Sequence, residues 1–109
     1  MDGLVKISFF SRIGLPVLLL IPFILSAQPS GKIAGTVTDS QTGEPLAGVN
    51  VVLKNAFLGA STDLDGNFVI LNVSPGTHVV EFSFIGYQSV EVNDVEVKID
   101  RTTRLDMEM

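Results

Sequence analysis

His78-Val79-Val80-Glu81-Phe82-Ser83-Phe84-Ile85 is the stretch on which the fold turns. In an extended chain successive side chains point to opposite faces, so His78, Val80, Phe82 and Phe84 share one side and Val79, Glu81, Ser83 and Ile85 the other. The first side is aromatic and apolar; the second is mixed. That division predicts a strand with its aromatic side in a core.

Upstream, Ser74-Pro75-Gly76 predicts a turn of the type II kind, with Pro75 setting φ at its second position and Gly76 supplying a positive φ at its third. A strand from Phe68 to Val73 precedes it, with Phe68 and Ile70 on one face. Asp63-Leu64-Asp65-Gly66-Asn67 predicts a tight turn with Gly66 at positive φ, led in by a short strand from Ala60 to Thr62. Ala47 to Lys54 points Val49, Val51 and Leu53 inward. Lys32 to Thr38 sets Ile33 and Val37 against Lys32, Thr36 and Thr38, and Asp39-Ser40-Gln41-Thr42-Gly43-Glu44-Pro45 ends it, because these turn formers and the proline cannot continue a ladder.

Downstream, Ser89 to Ile99 alternates through Val90 and Val92 and then through Val95, Val97 and Ile99, with a slip of phase at Asn93-Asp94. A slip of one residue would turn every following side chain to the other face, so a bulge or turn is expected there. Thr103 to Met109 places Thr103, Leu105, Met107 and Met109 on one face and Arg104, Asp106 and Glu108 on the other. Seven short strands broken about every 8–12 residues predict an all-β sandwich or barrel without a helix after residue 27. The first 27 residues read differently. Lys6 and Arg12 precede an uncharged apolar run from Ile13 to Leu25 that ends in Ser26 and Ala27, the plan of a secretory signal. The run is shorter than the roughly 20 residues of a spanning helix and contains Pro16 and Pro22, so cleavage after Ala27 is expected, with residues 28–109 as the exported domain.

The chain has no cysteine, which excludes disulfide staples and a lipid carried on a cysteine thioether. Loss of Lys6, Arg12 and Asp2 with the leader leaves five basic and eleven acidic side chains, a formal charge of about −6. Lys32, Lys54, Lys98, Arg101 and Arg104 are scattered along the sequence. Nucleic acid is therefore not an expected partner, because phosphate binding needs clustered Lys and Arg.

Gly35-Thr36-Val37-Thr38-Asp39, Thr42 to Val49, Thr62 to Phe68, Pro75-Gly76-Thr77 and Phe84-Ile85-Gly86-Tyr87 follow one another in an order that resembles the carboxypeptidase-regulatory-like domain. The resemblance covers Gly31 to Met109 and implies a seven-stranded Greek-key sandwich of the transthyretin (prealbumin) kind. Behind a signal peptide it looks like the N-terminal extension of SusC/RagA-type TonB-dependent outer-membrane receptors, which implies export to the periplasm or outer membrane. The sequence departs from that pattern by stopping at Met109, short of a plug or barrel. A truncated product, a fragment and a free-standing secreted module all fit these residues.

The family name suggests peptidase chemistry, and the residues do not supply it. Catalytic zinc takes about three protein ligands, whereas His78 is the sole histidine and is expected at a strand end, partly exposed. A serine triad would need the same histidine; Ser61, Ser74, Ser83 and Ser89 lie in no Gly-x-Ser-x-Gly elbow. Asp63, Asp65 and Asn67 are the one candidate metal set, since alternate oxygen side chains followed by glycine look like the opening of a calcium loop. The rest of that loop, with its closing glutamate, is missing, and a hairpin turn is the preferred reading. Asn72-Val73-Ser74 matches a glycosylation sequon, with Pro75 directly after it arguing against modification. No enzyme activity and no cofactor are expected. Two functions stay open: a non-catalytic module of a nutrient-uptake receptor that meets a protein partner by strand addition, or a secreted module that binds glycan or protein through Ala56 to Gly59, where Phe57 and Leu58 sit in a predicted loop.

Overall fold

A computed structural model describes residues 28–109, so the predicted leader, residues 1–27, lies outside the described residues. Eight strands follow in order: β1 (Gly31–Thr38), β2 (Asn50–Leu53), β3 (Leu58–Ser61), β4 (Asn67–Val73), β5 (Gly76–Ser83), β6 (Val90–Val97), β7 (Thr102–Arg104) and β8 (Met107–Glu108). One sheet runs β4-β1-β7 with β8 also on β1, and the other runs β3-β2-β5-β6. The two sheets form a sandwich. None of the described residues is helical.

Twelve apolar side chains fill the space between the sheets, among them Ile33, Val37, Val51, Leu53, Ile70, Val80 and Phe82. The aromatic stripe of β5 faces this core as the alternation requires. Phe82 is fully buried and meets Phe68 edge to face, with ring centroids 5.7 Å apart. Burying a side chain of this size contributes about 1.5–3 kcal/mol. Phe84 and His78, at the two ends of the stripe, are half-buried.

The slip at Asn93-Asp94 is a bulge. His78 pairs with Val95 but Val80 with Val92, so β6 spends one residue more than β5 between the two pairs. Asp94 absorbs it at φ 58°, and Val92 and Val95 both turn toward the core. A second bulge of the same design, not expected from the sequence, sits in β4. Gly31 pairs with Val73 and Ile33 with Ile70, and Asn72 takes φ 58°. The apolar spacing Phe68, Ile70, Val73 was its signal, since a regular strand would have buried residue 72.

Other boundaries moved for identifiable reasons. β2 starts at Asn50 rather than Ala47, because Gly48 has φ 86° and breaks the extended run. β3 starts at Leu58 and stops at Ser61, where Thr62 turns into the corner between the sheets. Because β3 and β4 belong to different sheets, the turn at Asp63–Asn67 is a corner and not a hairpin. Gly76 has φ 131°, well past the value of a type II turn. The predicted strand Thr103–Met109 holds one parallel register, Lys32 opposite Thr102 and Val37 opposite Met107, yet divides into β7 and β8. Between them the Asp106 carboxylate takes the Thr36 N–H at 2.9 Å in place of a backbone carbonyl. Leu105 passes so close that a Cβ on Gly35 would overlap its carbonyl, which is why glycine stands in the middle of the central strand.

Candidate functional site

Loops from both sheets meet at the end of the sandwich where β1 finishes. Asp39 opens the first: its Oδ1 accepts the N–H groups of Gln41 and Thr42 at 2.8 and 2.9 Å, an Asx turn. Its Oδ2 accepts the Tyr87 hydroxyl at 2.5 Å, from a loop 48 residues away. The tyrosine bond, with the two N–H groups behind it, lowers the Asp39 carboxyl to a pKa of about 2, and the same bond raises the Tyr87 phenol above its usual value. Tyr87 is placed by the turn Phe84–Tyr87, whose Gly86 has φ 86°, and its ring lies 5.6 Å from that of Phe84.

Thr62 supplies the second tie. It is buried, donates its hydroxyl to the Leu46 carbonyl at 2.6 Å and accepts the Val49 N–H at 2.9 Å. The corner after it is closed by Asp63, whose Oδ1 accepts the N–H groups of Asp65 and Asn67 at 3.0 and 2.9 Å. Gly66 has φ 77°, and a Cβ there would sit 2.6 Å from the Val37 carbonyl oxygen. The Asn67 amide oxygen takes the Thr36 hydroxyl at 2.8 Å. The three candidate calcium ligands thus share one corner, with oxygens of Asp63 and Asn67 engaged by the protein itself. Among the described residues no three His, Asp or Glu side chains are grouped to hold a metal ion.

His78 stands at the opposite end, its Nε2 2.7 Å from the Ser74 carbonyl oxygen. Asn72 of the sequon is the left-handed residue of the β4 bulge. The β2–β3 connection lies at this end too, and there the predicted loop pair Phe57-Leu58 separates. Leu58 begins β3 and packs against the core, whereas Phe57 is fully exposed beside a shallow hollow lined by Val52, Asn55 and Gly59. On the outer face of the same sheet Glu81 lies directly opposite Glu91. Lys54 bonds Glu91 at 3.1 Å, which raises the lysine pKa and offsets the repulsion of the two carboxylates.

The family model of the carboxypeptidase regulatory-like domain matches residues 32–109. The chain belongs to that family. Its regulatory-like domain is 36% identical over 75 residues, 69% of the chain, to TonB-dependent receptor P3 of Formosa agariphila. It is 48% identical over 60 residues, 55% of the chain, to TonB-dependent receptor SusC of Bacteroides thetaiotaomicron. The matches span 7% and 6% of those receptors' own lengths. Among solved structures, a cohesin–X–dockerin complex of Acetivibrio cellulolyticus resembles it at TM-score 0.62 and 25% identity, over 71% of this chain and 52% of that one. Both named relatives are TonB-dependent receptors.

The resemblance motifs are thereby accounted for in the regulatory-like domain. Asp39, Thr62, Asp63, Gly66 and Tyr87 bind one another or the backbone, and they hold the loops of one end in place. The long bond between Asp39 and Tyr87 was not foreseen, because each residue reads alone as a turn residue. Thr62 carries no local signal of burial either.

Proposed function

We propose that this regulatory-like domain is a non-catalytic accessory module of a TonB-dependent outer-membrane receptor for nutrient uptake, standing as its N-terminal extension in the periplasm. One observation carries the reading: the family match over residues 32–109 together with named receptors as relatives. The fold is consistent with it, since Asp39, Thr62, Asp63 and Tyr87 of the motifs are engaged in holding loops. In this reading residues 1–27 are the leader that exports the module, and its contacts are with protein.

Crosslinking in the organism that makes the protein tests this. An antibody to residues 28–109 should detect them in the outer-membrane fraction, on a polypeptide of receptor size or, with a photo-reactive residue at position 57 or 85 on the exposed loops, in an adduct with a TonB-dependent receptor. Recovery of the chain free in the medium, with no receptor adduct, would overturn the proposal.

A second reading is a secreted module that takes glycan or protein at the β2–β3 connection, and the full exposure of Phe57 beside a shallow hollow favours it. It requires binding on a glycan array that Phe57→Ser abolishes. Silence across the array counts against the glycan form of this reading.

A further inference from the structure

Among the described residues the two sheets leave four free edges, and three of them carry the usual protection against pairing with another chain. β6 bears Glu91, Asp94 and Glu96 and is bulged; β7 and β8 bear Arg104 and Glu108 around an interrupted ladder; β3 has only four residues, one of them Gly59. Charge, bulges and shortness are the features that keep sheet edges from adding strands. β4 is the exception. It runs for seven residues, Asn67-Phe68-Val69-Ile70-Leu71-Asn72-Val73, without a charged residue or a proline. Its bulge at Asn72 shifts the register only beyond Ile70 and leaves Asn67 to Ile70 regularly paired with β1.

The outward backbone groups of this edge can be assigned. Val37 N–H donates to the Gly66 carbonyl at 2.8 Å, so by alternation Gly66, Phe68 and Ile70 face β1 and Asn67, Val69 and Leu71 face away. Asn67 uses its own N–H and C=O on Asp63. Open pairing positions therefore begin at Val69 and continue at Leu71. Their side chains stand on the outer face of the sheet, 49% and 58% exposed, where Val69 adjoins Ala34.

Charge indicates what covers this edge. At its start the corner presents Asp63 and Asp65, both exposed. At its finish Lys32 and Arg101 gather with Leu71 and Asn72 around one hollow and outnumber the single acid there, Asp100. An antiparallel strand carrying the same acidic start and basic finish would set each acidic end toward a basic one, whereas a parallel copy would set acid beside acid. The strand that meets this description, uncharged in its middle and rich in β-branched and aliphatic residues, is β4 itself.

We propose that β4 is a self-docking edge on which a second copy of this chain adds antiparallel, with Val69 opposite the partner's Leu71 and a two-fold axis at Ile70. The pairing joins two β4-β1-β7 sheets into one continuous sheet. Each Val69 and Leu71 exchanges backbone hydrogen bonds with the other copy, and the four apolar side chains cover one another on the outer face.

The absence of cysteine makes the register directly testable on the full chain. Residues exchanging hydrogen bonds across an antiparallel pair lie about 5.5 Å apart at Cα, within disulfide reach. Mixing Val69→Cys chain with Leu71→Cys chain under oxidation should yield the mixed disulfide several-fold above either homodisulfide, and above dimers of Glu91→Cys on the β6 edge. Equal yields at all three positions would overturn the register and the edge. By sedimentation the unmodified chain should be a dimer, and the Val69→Lys/Leu71→Lys double variant a monomer that still unfolds cooperatively, with a melting temperature that no longer rises with concentration. A monomeric parent, a dimer insensitive to the two lysines, or an edge occupied by a strand of a different protein would each overturn the proposal.

Discussion

The two ends of this sandwich are built on different principles. At the end holding Asp39, Thr62 and Tyr87, loops from both sheets are tied by side-chain hydrogen bonds into one unit, including a bond that spans 48 residues of sequence. At the other end the β2–β3 connection is fixed mainly by strand pairing and one exposed ion pair, and it holds out Phe57. The motif residues that identify the family belong mostly to the first end, where they are engaged in folding. A family resemblance carried by such residues predicts architecture. The ligand or partner has to be sought on surfaces whose side chains are free, the second end and the β4 edge.

The largest effect expected from this contrast is at Thr62. Thr62→Val keeps the shape but leaves the Val49 N–H and the Leu46 carbonyl without their partner, which should cost roughly 2–3 kcal/mol in a denaturant melt. A loss below about 0.5 kcal/mol, the size of an ordinary surface change, would show that the tied end is not held by this residue.

Acid should loosen the same end next. The folded Asp39 carboxyl has a pKa of about 2, below an unfolded value near 3.9, so its contribution to stability is present above about pH 4 and lost as pH falls through about 2. Tyr87→Phe removes the main cause of the shift and should move the Asp39 titration, followed by carboxyl NMR, back toward the ordinary range. An Asp39 titration unchanged by that substitution would assign the shift to the Gln41 and Thr42 N–H groups alone.

A smaller effect belongs to the open end. Lys54→Met leaves Glu81 and Glu91 facing each other and should lower the melting temperature at pH 7. Added salt should narrow the difference, since the pair is exposed. The least effect is expected at Phe57, where replacement by Ser should change stability by no more than about 0.5 kcal/mol. A clear loss would mean that the Phe57 ring is packed in solution, and the contrast between the ends would fail.

Much of the fold was legible in the chain because a strand's alternation is a local property. The β5 pattern, the inward faces of β1 and β2, and the bulge at Asp94 follow from spacing alone. The bulge at Asn72 could have been read from Phe68, Ile70 and Val73, but a short apolar run allows more than one phase. The corner at Asp63–Asn67 looked like a hairpin because a turn sequence specifies how sharply the chain bends and not which sheet receives the next strand. Phe57 and Leu58 read alike as loop residues, and one step of register separated them.

Composition and alternation by themselves determined an all-β domain without cysteine chemistry and the residues of its core, since each depends on side-chain type and on neighbours a few positions away, and the order of its turn motifs carried the family resemblance. Only the tertiary structure decided that Tyr87 closes on Asp39, that Thr62 is buried between the Leu46 carbonyl and the Val49 N–H, that Gly35 makes room for Leu105, and that β4 is left as an unguarded edge. These are contacts between segments far apart in sequence, and they exist because two sheets must share one core; no local pattern encodes which distant backbone comes to lie beside which side chain.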